Sequence, residues 1–263
     1  MECGETMTTM TTTNDHLVFI TGESATGKSF CLHGLKDPKG VIYLNTENGK
    51  KLPFKSGFQS ETVTDPKQVP AIIDMFNDEK YANIHTIVID SATYLLDMFE
   101  SLYVLNSNNT MKAWGDFANF WKSLMQNNVA KSNKNIIFTA HTLSEFNDQV
   151  SRYESKVPVK GSLKNNGLES YFSCVMSTKK VSTKELEKYS NDLLTITDEE
   201  QELGFKYVFQ TKITRNTVGE RIRGPHDLFS NSETYIDNNL QLVLDRLHEY
   251  YAPEAPVSIT NAA

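Results

Sequence analysis

Arginine is scarce in this chain: five of its 26 basic residues are arginine, and none precedes Arg152. A cation acting from the first 151 residues therefore has to be a lysine, without the guanidinium's fixed fork of donors. Cysteine is scarcer still, with residues only at 3, 31 and 174. An odd, scattered set excludes a disulfide framework and suits a reducing cytoplasm. No apolar run approaches the ~20 residues that a membrane-spanning helix needs, so no membrane partner is expected. The opening MECGETMTTMTTTND lacks the apolar core of a secretory signal. Residues 1–13 read as a disordered leader, and APEAPVSITNAA (252–263) as a flexible tail. The six histidines show no ligand spacing with one another or with cysteine, which argues against a zinc site.

What is present fits a globular α/β chain. With 263 residues, 39% hydrophobic and 22% charged, a full core is affordable, and residues 14–251 read as one domain. The net charge of −7 argues against a protein coated in nucleic acid. It leaves room for a local basic groove, because a field depends on where charges lie.

One stretch dominates the chemistry. After the apolar run LVFI comes TGESATGKSF, with Gly22 and then Gly27-Lys28-Ser29 at P-loop spacing. Glycines let the backbone wrap so that its N–H groups converge on phosphate oxygens. The lysine adds charge, and a serine hydroxyl suits a magnesium shell. The candidate nucleotide-binding residues are Gly22, Glu23, Ser24, Ala25, Thr26, Gly27, Lys28, Ser29 and Phe30, with ATP and Mg²⁺ as the ligands. No Asn-Lys-x-Asp guanine-reading string occurs, which favours ATP over GTP.

Around this loop, strand-like and helical runs alternate. HLVFI, GVIYLNT, HTIVID and NIIFTAH are apolar on both sides of the pleat, as in a buried parallel sheet flanked by helices. Helices are expected directly after Lys28, over about 70–76, 91–103 and 111–131, and over DNNLQLVLDRLHEYY. Residues 142–170 read as polar and irregular. YFSCVMSTKK and FKYVFQTKI read as a later strand pair, with the acidic stretch between them as a solvated loop or hairpin. The expected fold class is thus α/β, a mostly parallel sheet flanked by helices with antiparallel strands toward the C-terminus.

Two carboxylates sit at strand ends. Asp90 ends HTIVID and is a candidate metal residue together with Ser29; the plainer alternative is a helix cap. Glu47 follows GVIYLNT, where a carboxylate reaches a water beside a terminal phosphate; the alternative is a surface loop. His141 ends NIIFTAH, either as a hydrogen-bond donor to phosphate or as an idle strand-end histidine.

Taken together, the P-loop, YLNTE and IVIDS resemble the RecA-like P-loop ATPase core. With TAH and KGSLK added, the chain is similar to the small phage RecA-like ATP-binding and single-strand annealing recombination proteins. That resemblance implies a catalytic base at Glu47 and a phosphate sensor at His141. It also implies DNA-binding loops beginning at residue 142, where Arg152, Lys156, Lys160 and Lys164 face only Glu154 between 151 and 167. Phe146, Tyr153 and Tyr171 are candidate base-stacking residues there; a mixed-charge surface loop is the alternative. The resemblance further implies a homo-oligomer, ring or filament, with Lys212 and Arg215 reaching a neighbour's active site; Arg221 and Arg223 are the alternates, and a solvated basic hairpin the plain reading. The expected function is an ATPase acting on single-stranded DNA in phage recombination, annealing or repair, in the host cytoplasm, alongside phage replication or recombination proteins. A hexameric DNA motor and a KaiC-like ATP-dependent switch remain alternatives.

Overall fold

The computed structural model describes residues 14–252. The leader at 1–13 lies outside them, as does the tail apart from Ala252. Among the described residues ten strands form: β1 (Leu17–Gly22), β2 (Val41–Asn45), β3 (Gln59–Thr62), β4 (Thr86–Asp90), β5 (Asn135–His141), β6 (Leu143–Asn147), β7 (Arg152–Lys156), β8 (Cys174–Ser182), β9 (Phe205–Gln210) and β10 (Tyr235–Asp237). Eight of them make one sheet in the order β10-β9-β8-β1-β5-β4-β2-β3, and β6 pairs with β7 in a separate hairpin. The pairings from β8 to β3 are parallel, and those of β8 with β9 and β9 with β10 are antiparallel. This is the expected α/β class.

Side chains alternate across a strand, and both faces of this sheet are covered. Leu17, Phe19, Ile42, Leu44, Ile87, Ile89, Ile136 and Phe138 point to one face. There they meet three helices: α1 (Gln68–Phe76), α2 (Ala92–Phe99) and α3 (Thr110–Ser123). Trp121 of α3 is fully buried among them, edge-on to Phe138 with centroids 5.6 Å apart. Val18, Ile20, Val41, Tyr43, Val88 and Ile137 point the other way, onto Cys31, Leu32 and the C-terminal helix Leu240–Tyr250. Continuous apolar strands are the result of this double coverage.

Several expectations need correction. No α-helix follows Lys28; Phe30–Gly34 forms a short 3₁₀ turn instead. Gly34 lies so close to Asn239, the cap of the C-terminal helix, that a Cβ there would sit 2.1 Å from its Oδ1. Pro38, four residues on, prevents propagation beyond that contact. Residues 142–170 are not irregular: β6 and β7 make a hairpin, Leu143 opposite Lys156. The acidic stretch after β8 is more than a solvated loop. It contains a helix, Asp198–Leu203, opened by a Thr197–Glu200 capping box. A small core of Val181, Leu186, Val208 and Tyr235 lies beneath this stretch. β10 lies outside β9, at the edge of the sheet.

Candidate active site

Parity along the strands builds the site. Tyr43, Asn45 and Glu47 share a face of β2 and its extension. Asp90 takes the Val88 face of β4, and Thr139 and His141 take the Ile137 face of β5. All meet at the C-terminal ends of parallel strands, on the side where the loop after β1 turns over the sheet. Crevices at that end of an open α/β sheet are where ligands bind.

The loop wraps tightly. Gly27 adopts φ +93°, and a Cβ there would lie 2.5 Å from the Asn238 amide nitrogen, which donates to the Gly27 carbonyl at 2.9 Å. At Gly22 a Cβ would lie 2.2 Å from the Thr178 hydroxyl, so only glycine lets β1 and β8 approach this closely. Thr178 and Thr26 share a hydroxyl hydrogen bond of 2.6 Å. Lys28, 7% exposed, donates from Nζ to the carbonyls of Gly22 at 2.9 Å and Glu23 at 2.6 Å. Burial pushes its ammonium down to about 8, against the opposing pull of Asp90 and Glu47.

Asp90, 2% exposed, accepts three hydroxyls. Ser29 donates to Oδ2 at 2.9 Å, Tyr43 to the same oxygen at 2.8 Å, and Thr139 to Oδ1. A hydroxyl and a carboxylate meeting at the mouth of the loop form a hard oxygen donor set, which fits a divalent cation such as Mg²⁺. Asp90 is not the cap of α2: Ser91 takes that position, and the Asp90 carboxylate faces Ser29 of the phosphate loop.

Glu47 lies in the same recess, with its side chain 7% exposed. His141 Nε2 donates to Oε1 at 3.3 Å and Lys50 Nζ to Oε2 at 2.9 Å. The hydrogen bond from His141, assisted by Lys50 and opposed by burial, holds this carboxyl at about 2. Glu47 is therefore ionised throughout the physiological range. Lys28, Ser29, Glu47, Asp90 and His141 line one cavity of about 470 Å³, within the usual size of a small-ligand site. Glu47 lies in the loop after β2, with its carboxylate turned into the cavity.

Other candidates fall elsewhere. Ser24, Ala25, Gly27 and Phe30 line the cavity, whereas Gly22, Glu23 and Thr26 shape the loop without lining it. Lys212 and Arg215 do not line it either. Beyond β9 the chain turns back on itself: the Gln210 amide donates to the Thr217 hydroxyl at 2.7 Å, and Glu220 pairs with Lys179 of β8 at 2.5 Å. Lys212 Nζ donates to Asn231 at 3.2 Å, and Arg215 is exposed. The alternates are committed locally: Arg221 pairs with Glu169 at 3.2 Å, and Arg223 donates to the Glu169 carbonyl.

The four basic candidates of the 142–170 segment are spread over the hairpin and the turns after it. β6 begins two residues after His141, so the hairpin is continuous with the cavity wall. Phe146 and Tyr153 face each other across it, 52% and 68% exposed, with ring centroids 5.2 Å apart. Tyr171, in contrast, packs edge-on against buried Trp121. The local excess of +3 counted along the sequence is reduced in space. Arg152 pairs with Glu154, Lys156 with Glu145 and Lys160 with Glu100, while Lys164 is exposed.

Residues that the sequence reading passed over include Tyr43 and Thr139, the partners of Asp90, and Lys50, the partner of Glu47. Tyr43 and Thr139 carried a signal, since each has the strand parity of a site residue. Lys50 follows an Asn-Gly pair, which signals a reversal that would bring it back to Glu47.

A family model described as an AAA domain matches residues 15–227, a span that includes the phosphate loop, both carboxylates, His141 and the hairpin. No curated protein matches the chain.

Proposed function

Since the chain belongs to the AAA domain family and so carries an AAA-type ATPase domain, we propose that its cavity binds ATP and hydrolyses it to ADP and phosphate. The single observation that carries this reading is the placement of Glu47 and Lys28 in one recess, the carboxylate ionised and the ammonium buried. The loop's backbone N–H groups and Lys28 grip the phosphates. Ser29 and Asp90 would hold Mg²⁺, which offsets charge on the phosphates when bound. Tyr43 and Thr139 hold the Asp90 carboxylate in place.

Glu47 orients the attacking water. The water oxygen bonds to the terminal phosphorus while the bond from that phosphorus to the bridging oxygen breaks, and ADP departs with the electron pair. The water's protons end on phosphate and solvent. A carboxyl held at about 2 is a weak proton acceptor, so alignment rather than deep proton abstraction is its role. His141 fixes the Glu47 carboxylate and lines the same cavity, within which it would donate to a terminal phosphate.

In its finer form the proposal assigns this chain to the RecA-like branch, acting on single-stranded DNA in phage recombination or annealing, with active sites between subunits of a ring or filament. The β6–β7 hairpin supports this reading through its exposed aromatic pair, which offers faces for base stacking worth about 1–3 kcal/mol per base. Lys212 and Arg215, which do not line their own cavity, are the groups that a neighbouring subunit's cavity would receive. The carboxylates beside Arg152, Lys156 and Lys160 favour a second reading, an ATP-dependent switch that binds no nucleic acid.

ATP turnover with and without oligonucleotides decides between them. On the first reading, single-stranded DNA raises turnover and duplex does not, and replacing both Phe146 and Tyr153 with alanine abolishes the rise while leaving ATP binding unchanged. Turnover indifferent to every nucleic acid establishes the switch.

A further inference from the structure

Glu47 is held by a device that the P-loop and the strand ends do not require. The sequence Glu47-Asn48-Gly49-Lys50 forms a tight turn closed by a hydrogen bond from Lys50 N–H to the Glu47 carbonyl at 3.1 Å. Its two central residues have φ +53° and +76°, the left-handed pair that Asn-Gly adopts at least cost. Buried Asn45 clamps both ends. Its Oδ1 accepts the Glu47 N–H at 2.9 Å, and its Nδ2 donates to the Lys50 carbonyl at 2.8 Å. The outcome is a lysine folded back on the carboxylate, Nζ to Oε2 2.9 Å, in the cavity that holds Lys28 and Asp90.

Lys50 differs from Lys28 in exposure. Its side chain is 66% exposed, against 7% for the carboxylate it covers. One end of this ion pair is thus fixed by packing and by His141, and the other swings on a four-carbon stem. Both Glu47 oxygens carry a donor, His141 on Oε1 and Lys50 on Oε2. A terminal phosphate, with up to two negative charges, competes for Lys50 with a carboxylate that has one.

Resting on the proposal that this cavity hydrolyses ATP, we propose that Lys50 is a cation of the same subunit that moves from Glu47 to the terminal phosphate when the triphosphate binds. The transfer places positive charge where negative charge develops on the phosphoryl oxygens and frees Oε2 to accept a hydrogen bond from the attacking water. The first 151 residues hold no arginine, so a cation supplied from this half of the chain is a lysine, acting in cis beside any guanidinium that a neighbouring subunit brings. Lys50 thereby also distinguishes ATP from ADP, since only ATP supplies the third phosphate.

The test compares Lys50→Met and Lys50→Arg with the unaltered protein, using fluorescent ADP, a fluorescent non-hydrolysable ATP analogue, and steady-state turnover. Lys50→Met should keep ADP affinity within about twofold, weaken the ATP analogue about tenfold, and lower kcat about 10²-fold, by analogy with loss of a charged phosphoryl contact. Lys50→Arg should recover part of the analogue affinity and of kcat. A lysine that merely shapes the turn would move ADP and analogue affinities together. Equal ADP and analogue affinities relative to the unaltered protein, with kcat unchanged, overturn the inference. Failure of the hydrolytic reading looks different: the unaltered protein binds ATP and never turns it over, while the analogue-to-ADP ratio still shows whether Lys50 meets the third phosphate.

Discussion

Lys28 is a buried ammonium titrating at about 8, and nucleotide affinity should carry that titration. Burial disfavours the charged form, and a bound polyphosphate favours it, so binding raises the group's affinity for its proton. The sign follows: ligand binding takes up a proton, and affinity falls as pH rises through 8. With a free-protein value of about 8, the protonated fraction is about 0.9 at pH 7 and about 0.1 at pH 9. If the charged form alone grips phosphate, ADP affinity drops about tenfold across that interval, or about 1.4 kcal/mol. Calorimetric titration at pH 8 in buffers of different ionisation enthalpy should report uptake of about half a proton per ADP bound. Lys28→Met should lose both the affinity and its slope. A constant affinity from pH 7 to 9 without proton uptake would refute the argument that this lysine is buried, cationic and directed at phosphate.

The core and the assembly give further outcomes. Trp121→Ala should cost about 3–5 kcal/mol in denaturant unfolding. Trp121→Phe should cost less, because the indole N–H has no partner to lose; equal losses would show that the packing argument is wrong. For the intersubunit contact, mixing inactive Arg215→Ala with inactive Lys28→Ala protein should restore ATPase activity in assemblies where one protomer's Arg215 meets its neighbour's intact cavity. No recovery at any mixing ratio assigns Arg215 another role.

Much of this architecture was legible because the chemistry coincides with the pattern. LVFI, the IVI of IVID and the IIF of NIIFTAH are apolar without interruption, which is the mark of strands covered on both faces, and β4 and β5 end on Asp90 and His141 of the site. The P-loop announces itself by spacing alone. Legibility fails where a residue's place depends on a contact distant in sequence. The 3₁₀ turn at Phe30–Gly34 ends against Asn239, some two hundred residues later, a contact close enough that Gly34 has no room for a Cβ. β3, Gln59–Thr62, is wholly exposed and polar, so no apolar alternation marks it as an edge strand. The hairpin was hidden for a similar reason: β6 and β7 present few buried positions. The local +3 near Arg152 is offset in space by Glu145 and Glu100, which approach from outside the counted window.

Glu47→Gln is the most direct trial of the account. The substitution keeps the shape and the donors' reach but removes the charge that aligns water. Measured side by side, binding of a fluorescent ATP and release of inorganic phosphate should separate, with binding retained and turnover reduced by at least about 10²-fold. A Glu47→Gln protein that releases phosphate at the unaltered rate would contradict the claim that this carboxylate directs hydrolysis.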